Sequence, residues 1–145
     1  MKKFLGVFIL ILSIVSCNSQ KIYSDFDISY SKSGGKNATY ENLLIKGNTA
    51  YYSFEGDGKK IKKTFSFSPE DYKNLNNTLS KNNFKKIQED YKKVYDNVTT
   101  SIIVKIGENE GSKNDGNQIM PNHKTNWNNI TNSFQQIIIN NVKTK

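Results

Sequence analysis

Apolar and polar residues alternate along much of the first half of the chain, and this period of two is typical of half-buried β-strands. Three such segments are predicted as strands at residues 26–30, 40–46 and 49–55. In a fourth strand, Ile61, Phe65 and Phe67 are expected to face inward. The turn signals between the strands are Ser33-Gly34-Gly35-Lys36-Asn37, Gly47-Asn48 and Gly56-Asp57-Gly58. Short turns of this composition predict an antiparallel meander.

Two later segments carry the spacing of amphipathic helices. The first starts at Ser68-Pro69-Glu70-Asp71, where Ser68 suits the N-cap, Pro69 the first helical position and the acids the positive end of the helix dipole. It is expected to end within residues 80–83. The second lies near the end of the sequence, where one apolar stripe is formed by Trp127, Ile130, Phe134, Ile137, Ile138 and Val142.

Between the helices, Phe84 and Ile87 are expected to continue the packing, and residues 98–106 read as a strand with Ile102, Val104 and Ile106 on one face. A polar turn and a weak strand ending near Met120 follow. The predicted order is β-β-β-β-α-β-β-α. This order favours a two-layer α+β fold, in which both helices pack on one face of an antiparallel sheet of five to six strands. The other sheet face is expected to be largely solvent-exposed.

The N-terminus has the features of a targeting segment. Lys2 and Lys3 precede an apolar run at residues 4–15. As a helix this run would be about 18 Å long, shorter than the ~30 Å hydrocarbon core of a membrane. A signal peptide is therefore favoured over a membrane-spanning helix.

The apolar run ends in Ile14-Val15-Ser16-Cys17, which resembles the lipobox of bacterial lipoproteins. The resemblance implies cleavage between Ser16 and Cys17 and lipidation of Cys17, whereas an ordinary cleaved signal peptide is the alternative. It divides the chain into a signal peptide (1–16), a lipidated cysteine with a short linker (17–25) and a single domain (26–145). Asn18 follows the cysteine, and by the sorting rule of enteric bacteria this implies the outer membrane. The predicted location is the cell envelope.

The mature domain also resembles short uncharacterised bacterial lipoproteins. The matching stretches are Ser33-Gly34-Gly35, Phe67-Ser68-Pro69-Glu70-Asp71, Phe84-Lys85-Lys86-Ile87 and Tyr95-Asp96. These motifs mark turns and helix starts. The resemblance therefore implies a fold, and it assigns no activity and no functional residues to the chain.

Charge narrows the possible partners. The chain has 21 basic residues, all of them lysine, against 13 acidic ones, which gives a net charge of +8. The secretion signal and the absence of arginine argue against nucleic acid as a partner. Anionic surfaces such as lipid headgroups or envelope polymers fit better. The densest run, Lys59-Lys60-Ile61-Lys62-Lys63, is interpreted as a solvated strand and turn, with a binding patch as the alternative.

Few residues could support catalysis or metal binding. The single cysteine is assigned to the anchor, and the single histidine, His123, has no nucleophile motif near it in sequence. The carboxylate pairs Glu70/Asp71 and Glu89/Asp90 could serve acid–base chemistry. A calcium loop was weighed for the oxygen-rich segment containing Glu108, Glu110, Asn114, Asp115 and Asn117, but its spacing does not fit and Lys113 interrupts it. No metal site and no cofactor are predicted.

The favoured binding surface is formed by Tyr91, Lys92, Lys93 and Tyr95, because tyrosines give large contact areas at small entropic cost. Covering of the sheet edge is the favoured role for these rings, and the binding surface is the alternative. The leading hypothesis is a non-enzymatic, lipid-anchored envelope protein, either of inhibitor or immunity type or a subunit of an assembly. Its partner would be an envelope protein or an anionic polymer. Two alternatives remain, a small envelope hydrolase that uses carboxylates and a carrier of a small apolar ligand.

Overall fold

A computed structural model of the chain describes residues 24–92, 94 and 97–142. The lipobox with Ser16 and Cys17, and the linker up to residue 23, lie outside the described residues. So do Lys93 and Tyr95 of the predicted binding surface, and Asp96.

The fold is α+β, with a six-stranded antiparallel sheet and two α-helices, as the sequence predicted. The strands are ordered β4-β3-β2-β1-β5-β6, so the first strand lies in the middle of the sheet. Short 3-10 helices span Phe84–Lys86 and Pro121–His123. The main elements are β1 (Ile28–Gly34), β2 (Thr39–Lys46), β3 (Thr49–Gly56), β4 (Lys59–Ser66), α1 (Pro69–Lys81), β5 (Val98–Val104), β6 (Gly111–Asn114) and α2 (Lys124–Val142).

Four residues connect β1 to β2, whereas two-residue turns join β2 to β3 and β3 to β4. Gly47, in the predicted β2–β3 turn, has a φ of 53°. The β3–β4 turn consists of Asp57 and Gly58, with φ of 49° and 70°, while Gly56 belongs to β3. Positive φ at both central residues defines a type I′ turn, whose twist matches that of the flanking strands.

The first strand starts and ends later than the sequence predicted. It runs from Ile28 to Gly34 instead of covering residues 26–30, because Gly34 pairs with both Thr39 of β2 and Val98 of β5. Glycine is required there: φ is 110°, and a Cβ atom would lie 2.5 Å from the carbonyl oxygen of Asn97. The turn expected to begin at Ser33 is correspondingly shorter.

Two isoleucines expected to face the core are largely exposed. Ile61 is 40% exposed because it lies close to the β3–β4 turn on β4, which is an edge strand of the sheet. Ile106 is 45% exposed because β5 ends at Val104 and the chain then turns. The weak strand predicted to reach Met120 ends at Asn114, where a turn closed by Gln118 N–H and the Asp115 carbonyl begins.

The core lies between the sheet and the two helices. Four of the apolar positions predicted on α2 are buried, and Ile137 and Val142 pack partly buried against them. The ring of Tyr30 on β1 stacks on that of Phe134, with centroids 5.0 Å apart. Phe84 and Ile87 are buried, as predicted. The residues buried on α2 are Trp127, Ile130, Phe134 and Ile138.

A polar cluster is enclosed within this apolar layer. The Glu41 carboxylate accepts hydrogen bonds from the Tyr52 hydroxyl (2.9 Å) and from Gln135 Nε2 (2.9 Å), and Gln135 also donates to the Tyr30 hydroxyl (2.7 Å). Burial raises the pKa of both tyrosines, and for Tyr52 the hydrogen bond to Glu41 raises it further. The cluster ties α2 to the sheet, and in the described part of the chain no buried side-chain oxygen or nitrogen lacks a hydrogen-bond partner.

The sheet face opposite the helices is less open than expected. Leu44 on β2 is 4% exposed although it points away from the helices, and it lies between Ser29 of β1 and Tyr51 of β3. Ser29 and Asn42 on this face are also buried. All three belong to β1 and β2, which have a neighbouring strand on either side.

The start of α1 gives a first prediction for stability. The Ser68 hydroxyl accepts a hydrogen bond from the Asp71 N–H (3.1 Å), and the Asp71 carboxylate accepts one from the Ser68 N–H (3.1 Å). We expect Ser68→Ala to lower the free energy of unfolding by about 1 kcal/mol in urea denaturation, because the Asp71 N–H loses its capping acceptor. Ser66→Ala, at an exposed position of β4, is the matched control. Equal stability of both variants would contradict the capping role.

Candidate functional site

The segment 88–92 forms an irregular ribbon beside β6, antiparallel to residues 117–120. Glu89 is bridged to Ile119 in the centre of this ribbon. The backbone hydrogen bonds that join the two segments run from Asp90 N–H to the Gln118 carbonyl (2.9 Å), from Lys92 N–H to the Asn117 carbonyl (3.1 Å) and from Met120 N–H to the Gln88 carbonyl (3.0 Å).

Tyr91 lies in the 88–92 segment of this ribbon in an unusual conformation. Its φ is 55°, which places a bulky residue in the left-handed region, and its side chain is 81% exposed. Such a conformation costs about 1 kcal/mol and persists only where the surroundings impose it. Here the N–H groups of the two neighbours, Asp90 and Lys92, are both bound to the opposite segment. The ring is therefore presented to solvent on a fixed backbone.

Two carboxylates help to hold the ribbon. Glu89 Oε1 accepts a hydrogen bond from Asn114 Nδ2 (2.9 Å) and Oε2 accepts one from Asn117 Nδ2 (3.1 Å). Asp90 forms an ion pair with Lys92 at 2.9 Å. The carboxylates that the sequence offered for acid–base chemistry thus bind side chains of the ribbon and of β6.

A cleft of about 410 Å³ opens next to Tyr91. Buried Ile87 and partly buried Met120 contribute its apolar surface. Lys113 Nζ donates a hydrogen bond to the Ile87 carbonyl (2.7 Å), which fixes the ammonium group at the wall. Apolar surface with a few placed polar groups is the usual composition of a ligand site. The lining residues are Ile87, Gln88, Glu89, Asp90, Tyr91, Lys113 and Met120.

Of the four residues predicted for a binding surface, Tyr91 and Lys92 lie at this site, and both are exposed. The sequence did not identify the partners of Glu89 or the residues of the cleft wall. Asn114 and Asn117 were noted only as parts of a polar loop, because their contact with Glu89 spans 25 and 28 residues of sequence. No local pattern marks a contact of that range.

The remaining candidates have other contacts. Asp115, weighed as a calcium ligand, accepts hydrogen bonds from the Thr100 N–H (2.6 Å) and from Trp127 Nε1 (3.0 Å). Asp71 caps α1, and the His123 N–H donates to the Met120 carbonyl within a 3-10 helix. In the part of the chain that the structure describes, no three metal-binding side chains of histidine, cysteine, aspartate or glutamate form a group.

The site lies toward the opposite end of the sheet from the N-terminal segment. Lys46, at the β2–β3 turn, binds Asp25 at 2.8 Å and Asp27 at 3.0 Å, and these contacts raise its pKa. The other end of β5 borders the ribbon, because the Asp115 N–H binds the Thr100 carbonyl. Thr100 is four residues from Val104 along β5, or about 14 Å.

We compared the chain with protein-family models and with curated proteins. Neither a family model nor a curated protein matches the chain. Within residues 24–92, 94 and 97–142, none of the helices has the length and apolar character needed to cross a membrane.

Proposed function

We propose that this chain is a lipid-anchored protein of the bacterial cell envelope that binds a partner protein through the surface around Tyr91, without catalysing a reaction. The anchor would be Cys17, and the outer membrane the location, because the sequence before and after this cysteine resembles the lipobox and its sorting position. The binding surface comprises Tyr91 and Lys92, continued in sequence by Lys93 and Tyr95. An inhibitor, an immunity-type protein or an assembly subunit fits this description.

The observation that carries the proposal is the conformation of Tyr91. An exposed tyrosine contributes no core packing, yet the fold holds it in a left-handed conformation beside a cleft. A backbone held in this way loses little further entropy when a partner covers the ring, and tyrosine is one of the residues that dominate binding interfaces. Neighbouring Lys92 is exposed and pairs with Asp90 at 2.9 Å, so the charge beside the ring is balanced.

The position of the site relative to the anchor supports a protein partner rather than lipid. Residues 18–25 would span at most about 28 Å when extended, so the anchored domain stays close to its membrane. The chain enters the sheet at the end that carries Lys46, whereas Tyr91 lies toward the other end. The Tyr91 surface would thus be directed away from the membrane and toward envelope proteins.

The test is capture of partners from native envelopes with a tagged chain, comparing the wild type with Tyr91→Gly. Glycine removes the ring and suits the positive φ, and its greater freedom in the unfolded chain offsets this gain, so stability should change by less than about 1 kcal/mol. We expect the wild type to retain one protein after crosslinking and a high-salt wash, and Tyr91→Gly to lose it.

Asn83→Gly provides the matched control, because Asn83 also has a positive φ, of 50°, and is not among the residues that line the cleft. It should retain the partner at the level of the wild type. Capture by Tyr91→Gly equal to that of the wild type would contradict the proposed surface. A diffuse, salt-labile set of proteins from the wild type would contradict specific binding and favour the hydrolase or carrier hypotheses.

A further inference from the structure

β4 is an edge strand, and among the residues that the structure describes no strand pairs with its outer side. The type I′ turn determines which backbone groups of β4 are not hydrogen-bonded to β3. Gly56 and Lys59 flank the turn and form a hydrogen-bonded pair, so alternate residues of β4 bond to β3 and those between them point outward. The N–H and C=O groups of Lys60, Lys62 and Thr64 therefore face away from the sheet.

This edge carries a dense positive charge. Lys59, Lys60, Lys62 and Lys63 flank Ile61 on both sides, and the first three lysines are exposed. Lys60 pairs with Glu55 at 2.7 Å, and Lys63 is bound to α2. Within the described part of the chain, Lys59 and Lys62 form no ion pair, so the edge retains uncompensated charge.

A groove of about 180 Å³ adjoins the same edge. Ile61 is 40% exposed and Tyr40 is 43% exposed, and they border the groove from opposite faces of the sheet. The groove is lined by Tyr40, Ser53, Phe54, Glu55, Lys60, Ile61 and Lys62. Free backbone groups, positive charge and an apolar contact thus coincide on one strand.

We propose that the β4 edge docks an extended acidic segment of a partner protein, which pairs with Lys60, Lys62 and Thr64 as an additional strand. Main-chain hydrogen bonds supply affinity in this mode of recognition, and side chains in adjacent grooves supply specificity. Because side chains alternate between the two faces of a strand, acidic side chains of the segment would lie near Lys60 and Lys62 on one face, and an apolar one would contact Ile61 on the other.

Charge repulsion argues against pairing of the β4 edge with the β4 edge of a second copy of the chain. The sequence around Ile61 is symmetric, so an antiparallel pair of β4 strands centred on Ile61 places Lys60 opposite Lys62 and Lys59 opposite Lys63. Like charges directly opposite one another destabilise such a pair. Lysines are a common protection of edge strands against self-association, and the same lysines favour a strand of opposite charge.

This docking edge is independent of the Tyr91 surface, because β4 and β6 are the two opposite ends of the strand order. Its test uses the full chain in detergent and an acetylated peptide of alternating Glu and Val, as long as β4. We expect binding in fluorescence anisotropy, together with slowed hydrogen exchange at the amides of Lys60, Lys62 and Thr64. A peptide of the same sequence, N-methylated at alternate residues, keeps the charge but cannot pair as a strand, and should bind at least about tenfold more weakly.

The charge requirement is tested with the double variant Lys60→Gln/Lys62→Gln against Lys85→Gln/Lys86→Gln. Both variants lose the same charge, and Lys85 and Lys86 are exposed elsewhere, in the first 3-10 helix. The first variant should bind the peptide several-fold more weakly, and the second should bind like the wild type. Equal binding of the methylated peptide, equal loss in both variants, or no binding of the unmodified peptide would each overturn the proposal.

Discussion

Replacing Trp127 with alanine should lower the free energy of unfolding by about 4 kcal/mol. The side chain is 4% exposed and packs in the core from the first turn of α2. Its indole N–H donates to Asp115 Oδ2, and Asp115 Oδ1 accepts from the Thr100 N–H, so one carboxylate connects the helix to β5. The substitution removes a large buried ring and also leaves one oxygen of Asp115 without its partner.

Circular dichroism during urea denaturation measures this effect, because Trp127 is the single tryptophan and fluorescence would be lost with it. Trp127→Phe is the matched control: it keeps an aromatic ring and loses the N–H donor, so its loss should be about 1–2 kcal/mol. A loss below about 0.5 kcal/mol for Trp127→Ala would contradict the core position of this residue.

Replacing Cys17 with alanine should abolish fractionation of the chain with membranes. Cys17 is the single thiol in the sequence, and a thioether to a diacylglycerol can form at no other side chain. Incorporation of labelled palmitate, followed together with fractionation, measures the lipid directly. The matched variant Ser16→Ala keeps a small residue before the cysteine and should be labelled and anchored like the wild type. A wild-type chain found in the soluble fraction without label would contradict the lipoprotein hypothesis.

The parts of the fold that the sequence predicted are those that depend on local structure. Gly47 and Asn48 form a hairpin turn because glycine adopts the positive φ of Gly47 at little cost. Ser68 and Asp71 form a capping box within four residues. The stripe on α2 that contains Phe134 is spaced by the helix itself. Each of these features depends on residues that are close together in sequence, so the pattern of residues is enough to predict it.

The parts that the sequence did not predict depend on contacts between distant segments. Pairing of β1 with β5 places the first strand at the centre of the sheet and extends it to Gly34. Ile61 follows the strand pattern correctly, but its place on an edge strand, close to a turn, leaves it exposed. Strand order and helix coverage are tertiary properties, and the alternation of residues within one strand does not encode them.

The candidate site shows the same division. Composition was enough to select Tyr91 and Lys92, because an aromatic residue beside lysines in a polar segment is a local signal. The cleft and the contacts of Glu89 with Asn114 and Asn117 were not predictable, since they join segments that are far apart in sequence. The sequence also gives no indication of the left-handed conformation of Tyr91, because this position is neither glycine nor asparagine.

The most direct test of the proposed binding surface is site-specific photo-crosslinking in native envelopes. A benzophenone side chain is introduced at Tyr91 in one chain and at Lys73, an exposed position of α1, in another. We predict one discrete crosslinked protein from the Tyr91 position and none from the Lys73 position. The same crosslinked species from both positions, or no crosslink from Tyr91, would contradict a partner-binding surface at this site.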